Sequence, residues 1–207
     1  ARGVVTAVIG MQYGSEGKGV IAELLGHISQ VAIRVGGPNA GHTITYKDGK
    51  FAMRHIPCAW TNPNCILLIG PAGMIHPDIL EEEIAMVEMA THISLKGSRF
   101  IHENVTPTTE AHVHKEQKPE FDKRFGSTRE GVGAATADRA LRSAMTINDF
   151  AERFGKYNWL KKYIISPSRY MDYVHGTYDR GGRILLEGTQ GHELSLYHGP
   201  YPFCTSR

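Results

Sequence analysis

The first 28 residues combine an apolar run, a glycine-rich segment and a helical pattern. Residues 4–9 read VVTAVI, a continuous and largely β-branched run that is typical of a strand buried on both faces. The next ten residues, GMQYGSEGKG at 10–19, place four glycines around Lys18. From Lys18 to Ile28 the apolar residues recur at helical spacing. This order predicts a strand, a loop and a helix whose amino terminus favours an anion.

Apolar strands recur along the chain, with helical patterns between them. Strands are predicted at 31–37, 65–70, 98–105 and 182–188, a hairpin at 44–56 with its turn at Asp48-Gly49, and a helix at 77–89. This alternation indicates an α/β fold with a mainly parallel central sheet and flanking helices, whose ligands gather at the carboxyl ends of the strands. Residues 106–180 are more polar and mostly helical, so we expect a helical lobe there, within a single domain spanning 1–207.

Composition excludes several classes of function. The 207 residues are 41% hydrophobic and carry a net charge of only +2 without a long basic run, so a nucleic acid polymer is not an expected partner. No apolar stretch reaches the ~18 residues of a membrane span. The three cysteines form no Cys-x-x-Cys pair, which favours a reducing, cytoplasmic location. Because the sequence begins with Ala1 and ends in PYPFCTSR, we expect it to be the amino-terminal part of a longer chain.

The glycine loop matches neither common nucleotide-binding motif. A Walker A motif would need glycine at Gln12 and a hydroxyl at Gly19, and the Gly-x-Gly-x-x-Gly spacing of dinucleotide-binding folds is absent. The loop nevertheless has what a phosphate site needs, because glycines expose backbone N–H groups and Lys18 adds a positive charge. The alternative is a tight strand-to-helix turn with a surface lysine.

Three further glycine-rich segments follow. GGPNAGHT at 36–43 comes after the second predicted strand and should open at the same edge of the sheet, where His42 could donate to a developing anion. GSTREGVGAA at 126–135 is either a phosphate-binding segment or a flexible linker. The last segment, 187–206, begins at a strand end. Their candidate polar side chains are Ser127, Thr128, Gln190 and Thr205.

Together these segments resemble the adenylosuccinate synthetases. The motifs that carry the resemblance are GSEGKG, NAGHT, GSTREGVGAA, EGTQG and YPFCTS, and they occur in the family's order. The resemblance covers nearly the whole chain, although the family is considerably longer and its aspartate-binding loop lies beyond Arg207. It implies the P-loop-like fold of that family and a ligase reaction. The O6 of a 6-oxopurine nucleotide attacks the γ-phosphate of a triphosphate, and L-aspartate then displaces phosphate from C6.

The resemblance also implies residue roles. Lys18 would bind the γ-phosphate, His42 the oxygen that bridges or receives it, and Gln190 the purine O6. Mg²⁺ would be held by the Gly41 carbonyl and by residue 15. Arg142 would act across a homodimer interface. The implied catalytic residues are Ser15, Lys18, His42 and Gln190. The implied triphosphate site consists of Ser15, Glu16, Gly17, Lys18, Gly19, Gly41, His42 and Thr43. The implied purine monophosphate site consists of Ser15, Asn39, Ser127, Thr128, Arg142, Gln190 and Thr205.

Ser15 departs from the family pattern, which has a catalytic aspartate at this position. A serine hydroxyl is not a useful base near neutral pH without a partner. In this respect, and in CTSR at 204–207, the chain resembles the phage-type 2-aminoadenylosuccinate synthetases, which act on dGMP with ATP or dATP in the host cytoplasm. We therefore expect that activity. The alternatives are an ordinary synthetase that uses IMP, aspartate and GTP, and a non-catalytic nucleotide-binding protein.

Overall fold

The computed structural model describes residues 2–95, 100–118 and 126–206. Its strands are β1 (Val4–Gly10), β2 (Val31–Arg34), β3 (His42–Tyr46), β4 (Gly49–Met53), β5 (Ile66–Ile69), β6 (Met74–Ile75), β7 (Ile101–His102), β8 (Thr106–Pro107), β9 (Ile164–Ile165) and β10 (Arg183–Gly191). The α-helices are α1 (Lys18–Gly26), α2 (Pro77–Thr91), α3 (Glu110–Glu116), α4 (Val132–Ala140), α5 (Ile147–Arg153) and α6 (Pro167–Asp179). Short 3₁₀ helices span Cys58–Thr61, Gly155–Lys162 and His192–Leu194.

A six-stranded sheet forms the centre of the molecule. Its strand order is β1-β10-β2-β5-β7-β9, and each neighbouring pair is parallel. The predicted α/β fold with a mainly parallel sheet is therefore confirmed. The last strand in sequence, β10, lies between the first two strands. This insertion brings the loop after β1, the loop after β2 and the end of β10 to one edge of the sheet.

The two faces of the sheet pack against different clusters. On β2 the side chain of Ala32 belongs to a large apolar core, whereas Val31 and Ile33 belong to a smaller cluster that includes Tyr170 of α6. Alternation of this kind is expected because successive side chains of a strand point to opposite faces. The inner strands are thus covered on both sides, which fixes the positions of the loops that leave their ends.

The prediction that β1 is buried on both faces is wrong. Val4, Val5 and Ile9 are exposed, and Ile9 has 65% of its surface accessible. The reason is topological, because among the described residues β1 is the outermost strand and pairs with β10 alone. Helix α1 beside it shows the same exposure: it buries small residues such as Ala22 and Gly26 and leaves most of its apolar side chains accessible.

Other differences from the predicted elements are local. The hairpin is confirmed, but its turn is Lys47-Asp48, since Tyr46 already pairs with Gly49. Strand β10 runs to Gly191, beyond the predicted end, because a register shift lets Gly191 pair with Gly10. Of the strand predicted at 98–105, residues 98 and 99 lie outside the described residues, and only Ile101–His102 is a strand.

Residues 106–180 contribute both helices and a strand of the main sheet. Helices α3 to α6 lie in this range, and so does β9, which forms the edge of the central sheet opposite β1. The division of the chain into one domain with a helical lobe stays a prediction. Within the described ranges, no helix combines the length and the apolar character needed to cross a membrane.

Candidate nucleotide site

A cleft of about 420 Å³ opens where β1, β2 and β10 end. Its walls are residues 13–17 of the glycine loop (residues 10–17), the start of α1, the segment 39–43, Thr128 and parts of the segment 187–206. All of the predicted site residues except Ser127 and Arg142 line this cleft. The expectation that the glycine-rich segments would meet at one edge of the sheet therefore agrees with the structure. Gln190 lies on β10 itself rather than on a loop after it.

The glycine loop has a left-handed backbone. Gly14, Ser15 and Gly17 have φ angles of 90°, 44° and 77°, and positive φ is unfavourable for a residue with a side chain such as Ser15. At the start of α1, a Cβ on Gly19 would come within 2.9 Å of the Cβ of His42. Glycine at position 19 thus allows the loop and the segment carrying His42 to pack directly against each other.

The side chain of Glu16 folds back onto the glycine loop and binds its backbone. Its Oε1 accepts hydrogen bonds from the backbone N–H groups of Met11 at 3.0 Å and Gln12 at 3.1 Å, and its Oε2 accepts one from Gly14 at 3.3 Å. Desolvation acts to raise the pKa of Glu16, but these three donors and the charge of Lys18 outweigh it and hold the pKa below its ordinary value. The amide groups at the end of β1 are consequently bound to a carboxylate of the chain itself.

A charged cluster lies beneath the cleft, and we call Arg34, His42 and Glu187 the buried centre. All three side chains are almost fully buried. The Nδ1 atom of His42 lies 2.6 Å from Oε1 of Glu187, and the same oxygen accepts a hydrogen bond from Nη1 of Arg34. Oε2 of Glu187 accepts the backbone N–H of Cys58 at 2.8 Å. Both carboxylate oxygens are therefore hydrogen-bonded within the protein.

The guanidinium of Arg34 also binds the backbone around the cleft. Its Nη2 donates to the carbonyls of Ala40 at 2.9 Å and Met53 at 3.1 Å, and its Nε donates to the carbonyl of Arg54 at 3.1 Å. These bonds tie the segment before His42 to the end of β4. A buried arginine is acceptable here because its donors are used and a carboxylate compensates its charge.

Burial alone would raise the pKa of Glu187. The charge of Arg34, the hydrogen bond and charge of His42, and the N–H of Cys58 outweigh burial and hold the pKa of this carboxyl below its ordinary value. Glu187 is thus a carboxylate at neutral pH. By contrast, burial raises the pKa of the Cys58 thiol well above its ordinary range, so this thiol is neutral.

Two buried polar atoms at the cleft have no hydrogen-bond partner among the described residues. They are Nε2 of His42 and Oδ1 of Asn39. Buried polar groups are nearly always satisfied in folded proteins, so unsatisfied ones at a cleft indicate a bound ligand. Lys18, also buried, is the first residue of α1. A cation and a helix amino terminus are suited to a phosphate group, to which Asn39 and His42 can donate through the side-chain NH₂ group and a ring N–H.

A second cleft of about 350 Å³ adjoins the first one. Asn39, Thr128 and Thr205 line both clefts, and Ser127 lines the second. The hydroxyl of Ser127 accepts the backbone N–H of Arg129 at 3.1 Å. Three polar residues at the boundary could therefore contact one ligand that extends into both clefts.

Arg142 stands apart from both clefts. It follows α4 in a left-handed conformation with a φ angle of 62°, is exposed, and lines neither cleft. Within this chain it therefore does not complete the site. Its predicted role toward a second subunit remains a prediction.

Sequence reasoning gave no role to Arg34 or Glu187. Each is the last charged residue of an apolar strand, in VAIR and in ILLE, and the two residues face each other in the register of β2 and β10. A charge at the end of a strand that is expected to be buried was the one signal that could have found them. Its meaning depends on β10 lying beside β2, which the order of the chain does not reveal.

A cation could in principle be bound in two places. His42, Cys58 and Glu187 offer ligand atoms within 4.8 Å of one another. There, however, Arg34 already supplies the positive charge, and the thiol is neutral. Ser15 and the Gly41 carbonyl at the cleft are hard oxygen donors, which Mg²⁺ prefers, and this ion usually completes its shell with phosphate oxygens and water. The residues at the cleft fit Mg²⁺ in that mode.

Fold and site together define an α/β protein with phosphate-binding loops at the ends of parallel strands. The chain belongs to the adenylosuccinate synthetase family, whose model, described as "Adenylosuccinate synthetase", matches residues 7–164. Members of this family are ligases that form a carbon–nitrogen bond in purine biosynthesis. The family assignment supports nucleotide binding at these loops.

Individual relatives agree with this assignment. The adenylosuccinate synthetase of Methanosphaera stadtmanae is 32% identical over 207 residues, and that of Methanococcus maripaludis strain C5 is 35% identical over 208 residues. Each alignment covers 98% of this chain and 57% of the relative. This chain thus spans little more than half the length of the curated relatives it matches.

Two solved structures are similar over the whole described fold. Fully ligated adenylosuccinate synthetase from Plasmodium falciparum has a TM-score of 0.85 and 25% identity, covering 98% of this chain and 55% of that one. The succinoaminodeoxyadenylate synthetase of cyanophage S-2L, bound to dGMP and to dATP as an energy donor, has a TM-score of 0.83 and 27% identity. That match covers 100% of this chain and 57% of the phage enzyme.

Proposed function

We propose that this chain carries the phosphoryl-transfer and purine-monophosphate sites of a ligase that condenses dGMP with L-aspartate, using ATP or dATP. The product is N6-succino-2-amino-2′-deoxyadenylate, a precursor of 2-aminoadenine nucleotides. One observation carries the choice of purine: Ser15 lines the cleft where the family pattern has aspartate. The cyanophage enzyme, which has a similar fold and binds dGMP and dATP, supports this choice by analogy.

The contacts of Glu16 strengthen this argument. Among the described residues that line the main cleft, Glu16 supplies the only carboxylate, and it is bound to three N–H groups of its own loop. It is therefore not free to replace the aspartate that the family places at position 15. The loop thus offers a neutral hydroxyl at position 15, and its one carboxylate is already bound to backbone N–H groups.

Space is the physical reason why serine suits guanine. Guanine carries an amino group next to N1, where an aspartate side chain would lie. A carboxylate could also accept hydrogen bonds from N1–H and from this amino group, so aspartate excludes guanine only if the loop cannot move. The hydrogen bonds of Glu16 to Met11 and Gln12 restrain the loop, which favours this condition.

The proposed reaction has two steps. In the first, O6 of the purine forms a bond to the γ-phosphorus, the bond from phosphorus to the β-phosphate oxygen breaks, and the N1 proton passes to water. In the second, the amino group of aspartate bonds to C6 and loses a proton, the C6–O6 bond breaks, and phosphate leaves carrying that proton. Lys18 and His42 neutralise and orient the transferred group, and Gln190 holds O6. Phosphoryl transfer depends mainly on such positioning and charge neutralisation.

Mg²⁺ would supply charge neutralisation to the triphosphate. In this proposal the Gly41 carbonyl and the Ser15 hydroxyl are its protein ligands. Asn39, Thr128 and Thr205 bind the 5′-phosphate of the purine nucleotide at the boundary of the two clefts, with Ser127 beside them. Arg142 of a second subunit completes this phosphate site in a homodimer.

The second candidate is an ordinary adenylosuccinate synthetase, which would use IMP and GTP. The archaeal relatives favour it, because they are 32–35% identical to this chain and carry that name, whereas the phage enzyme is 27% identical. A non-catalytic nucleotide-binding protein is a third candidate. The convergence of Lys18, His42 and Gln190 on one cleft argues against it.

The deciding experiment measures phosphate release and product mass with the full-length gene product. One reaction contains dGMP, aspartate and ATP, and the other contains IMP, aspartate and GTP. We expect a larger kcat/KM in the first reaction and a succino-purine product. A preference for IMP would establish the ordinary synthetase. Binding of both monophosphates without turnover would establish the non-catalytic protein.

The matched control is Lys18→Ala. It removes the buried cation that faces the triphosphate and leaves the monophosphate residues in place. We expect phosphate release to fall to background while dGMP binding, measured by calorimetry, persists. Release that survives this substitution would come from a contaminating phosphatase and would not count for the proposal.

A further inference from the structure

We infer that Glu187 is the positioning residue for His42: its carboxylate holds Nδ1–H and thereby turns Nε2 toward the cleft. The inference rests on the proposed function, because it concerns the histidine that contacts the transferred phosphoryl group. It adds a residue to the site and gives a physical origin to the orientation of the imidazole ring.

The contact distances determine which nitrogen carries the proton. Nδ1 of His42 lies 2.6 Å from Oε1 of Glu187 and 3.0 Å from Nη1 of Arg34. An unprotonated Nδ1 could accept from Arg34, but its lone pair would then face a carboxylate oxygen at the shorter distance. A proton on Nδ1 turns that contact into a charge-assisted hydrogen bond. Nδ1 is therefore the donor, and both it and Arg34 donate to Oε1.

Nε2 is then the atom left for the substrate. It is buried, has no partner among the described residues, and belongs to a residue that lines the cleft. A ring held through one nitrogen presents the other in a fixed direction, as a carboxylate does for histidines in many catalytic sites. When the triphosphate is bound, a second proton on Nε2 makes the ring an imidazolium, which donates to an oxygen of the γ-phosphate while Nδ1–H stays on Glu187.

Glu187 is itself held rigidly enough to act in this way. It is fully buried on β10, opposite Arg34 in the strand register, and the Cys58 N–H fixes its second oxygen at 2.8 Å. Every contact of the carboxylate comes from a donor. An amide at this position cannot reproduce the pattern, because its NH₂ group would have to face either Arg34 and His42 or the Cys58 N–H.

The first test is Glu187→Gln in the full-length gene product, with kcat and KM measured separately for each substrate. We expect kcat to fall by about 10²-fold, the usual cost of a mispositioned donor or acid, with little change in KM. Glu187→Asp keeps the charge and should recover part of the lost kcat. A loss confined to KM would overturn the inference.

Glu83→Gln is the matched control. Glu83 is also a buried carboxylate, and it accepts the backbone N–H groups of His55 and Ile56 at 3.1 and 2.9 Å, but it has no hydrogen bond to His42. Its substitution should lower the Tm and leave kcat near the wild-type value. If kcat falls equally in both variants, the loss reflects damage to the core and the inference fails.

The second test needs no substitution. In protein labelled with ¹⁵N-histidine, long-range ¹H–¹⁵N NMR spectra report which ring nitrogen carries the proton. We expect a protonated Nδ1 for His42 in the unliganded protein. An unprotonated Nδ1 with a protonated Nε2 would overturn the inference even if every Glu187 variant fails to fold. If no purine nucleotide supports turnover, the proposed function fails, but the NMR result still decides the role of Glu187.

Discussion

The glycine loop and the buried centre each hold one glutamate, Glu16 at the nucleotide cleft and Glu187 beneath it, yet the two carboxylates are held differently. Glu16 is exposed and accepts backbone N–H groups of its own loop, within five residues of itself in sequence. Glu187 is fully buried and is held by Arg34 and Cys58, which are 153 and 129 residues away in sequence. One carboxylate shapes a local loop, whereas the other joins distant strands.

This difference assigns different tasks to the two regions. The buried centre depends on several strands at once, so a change there affects the position of His42, which we propose acts on the transferred phosphate. The glycine loop is mostly self-contained, so a residue such as Ser15 can change without disturbing the sheet. We therefore expect substitutions in the buried centre to lower the rate and substitutions in the loop to alter the choice of substrate.

The strongest test of this division is His42→Ala. It removes the only side chain of the buried centre whose polar atom faces the cleft, and leaves Arg34 paired with Glu187. We expect kcat to fall by about 10²- to 10³-fold with nucleotide binding nearly unchanged, because the lost donor acts mainly as charge develops on oxygen. Steady-state kinetics and calorimetric binding give the two quantities. Near-normal turnover would remove His42 from the mechanism.

Ser15→Asp tests the expectation that the glycine loop determines the choice of substrate. The new carboxylate should crowd the 2-amino group of guanine and restore a base and a possible Mg²⁺ ligand for inosinate. We expect the ratio of kcat/KM for dGMP over IMP to fall on the order of 10²-fold. The ratio is the quantity to measure, because general damage to the fold cancels from it. An unchanged ratio would mean that position 15 does not select the purine.

A third prediction concerns whether one active site needs residues from two subunits. Arg142→Ala and Lys18→Ala subunits are each expected to be inactive. In a dimer that contains one subunit of each variant, one of the two sites would combine an intact Lys18 with an intact Arg142 of the other subunit. Random mixing should therefore restore about a quarter of wild-type activity. Verified heterodimers that show no recovery would contradict a shared site.

The smallest expected effect is that of Glu16→Gln. The amide oxygen can still accept an N–H of the loop, but the charge-assisted contacts to Met11, Gln12 and Gly14 are weakened. We expect a rise of a few-fold in the KM for the triphosphate and little change in kcat. A change in kcat as large as that of His42→Ala would show that the glycine loop and the buried centre do not have separate tasks.

Much of the fold could be predicted because its signals are local. Apolar runs such as 65–70 and the hairpin around Lys47-Asp48 specify their own elements, and parallel strands place their loops at one edge. The position of the cleft could be predicted from this rule and from the motifs that contain Lys18 and His42. Both are properties of short segments, which a sequence shows directly.

The remaining features depend on contacts between distant segments. Pairing of Arg34 with Glu187 requires β10 to lie between β1 and β2, and neither strand carries a sign of that order. For the same reason β1, as apolar as an interior strand, could not be recognised as an edge strand. The inward direction of Glu16 depends on the loop conformation, which the spacing of the glycines does not determine.

The open edge also affects how this polypeptide behaves at high concentration. Val4, Val5 and Ile9 lie on a strand that has one unpaired side in the described part of the chain, and Val20, Ile21 and Leu24 of α1 are exposed as well. An unpaired strand edge is a template for another chain, and exposed apolar surface adds attraction between molecules. Solutions of this 207-residue chain should therefore bind hydrophobic dyes and form aggregates through β1. A lysine at an exposed β1 position would make the purified chain easier to concentrate.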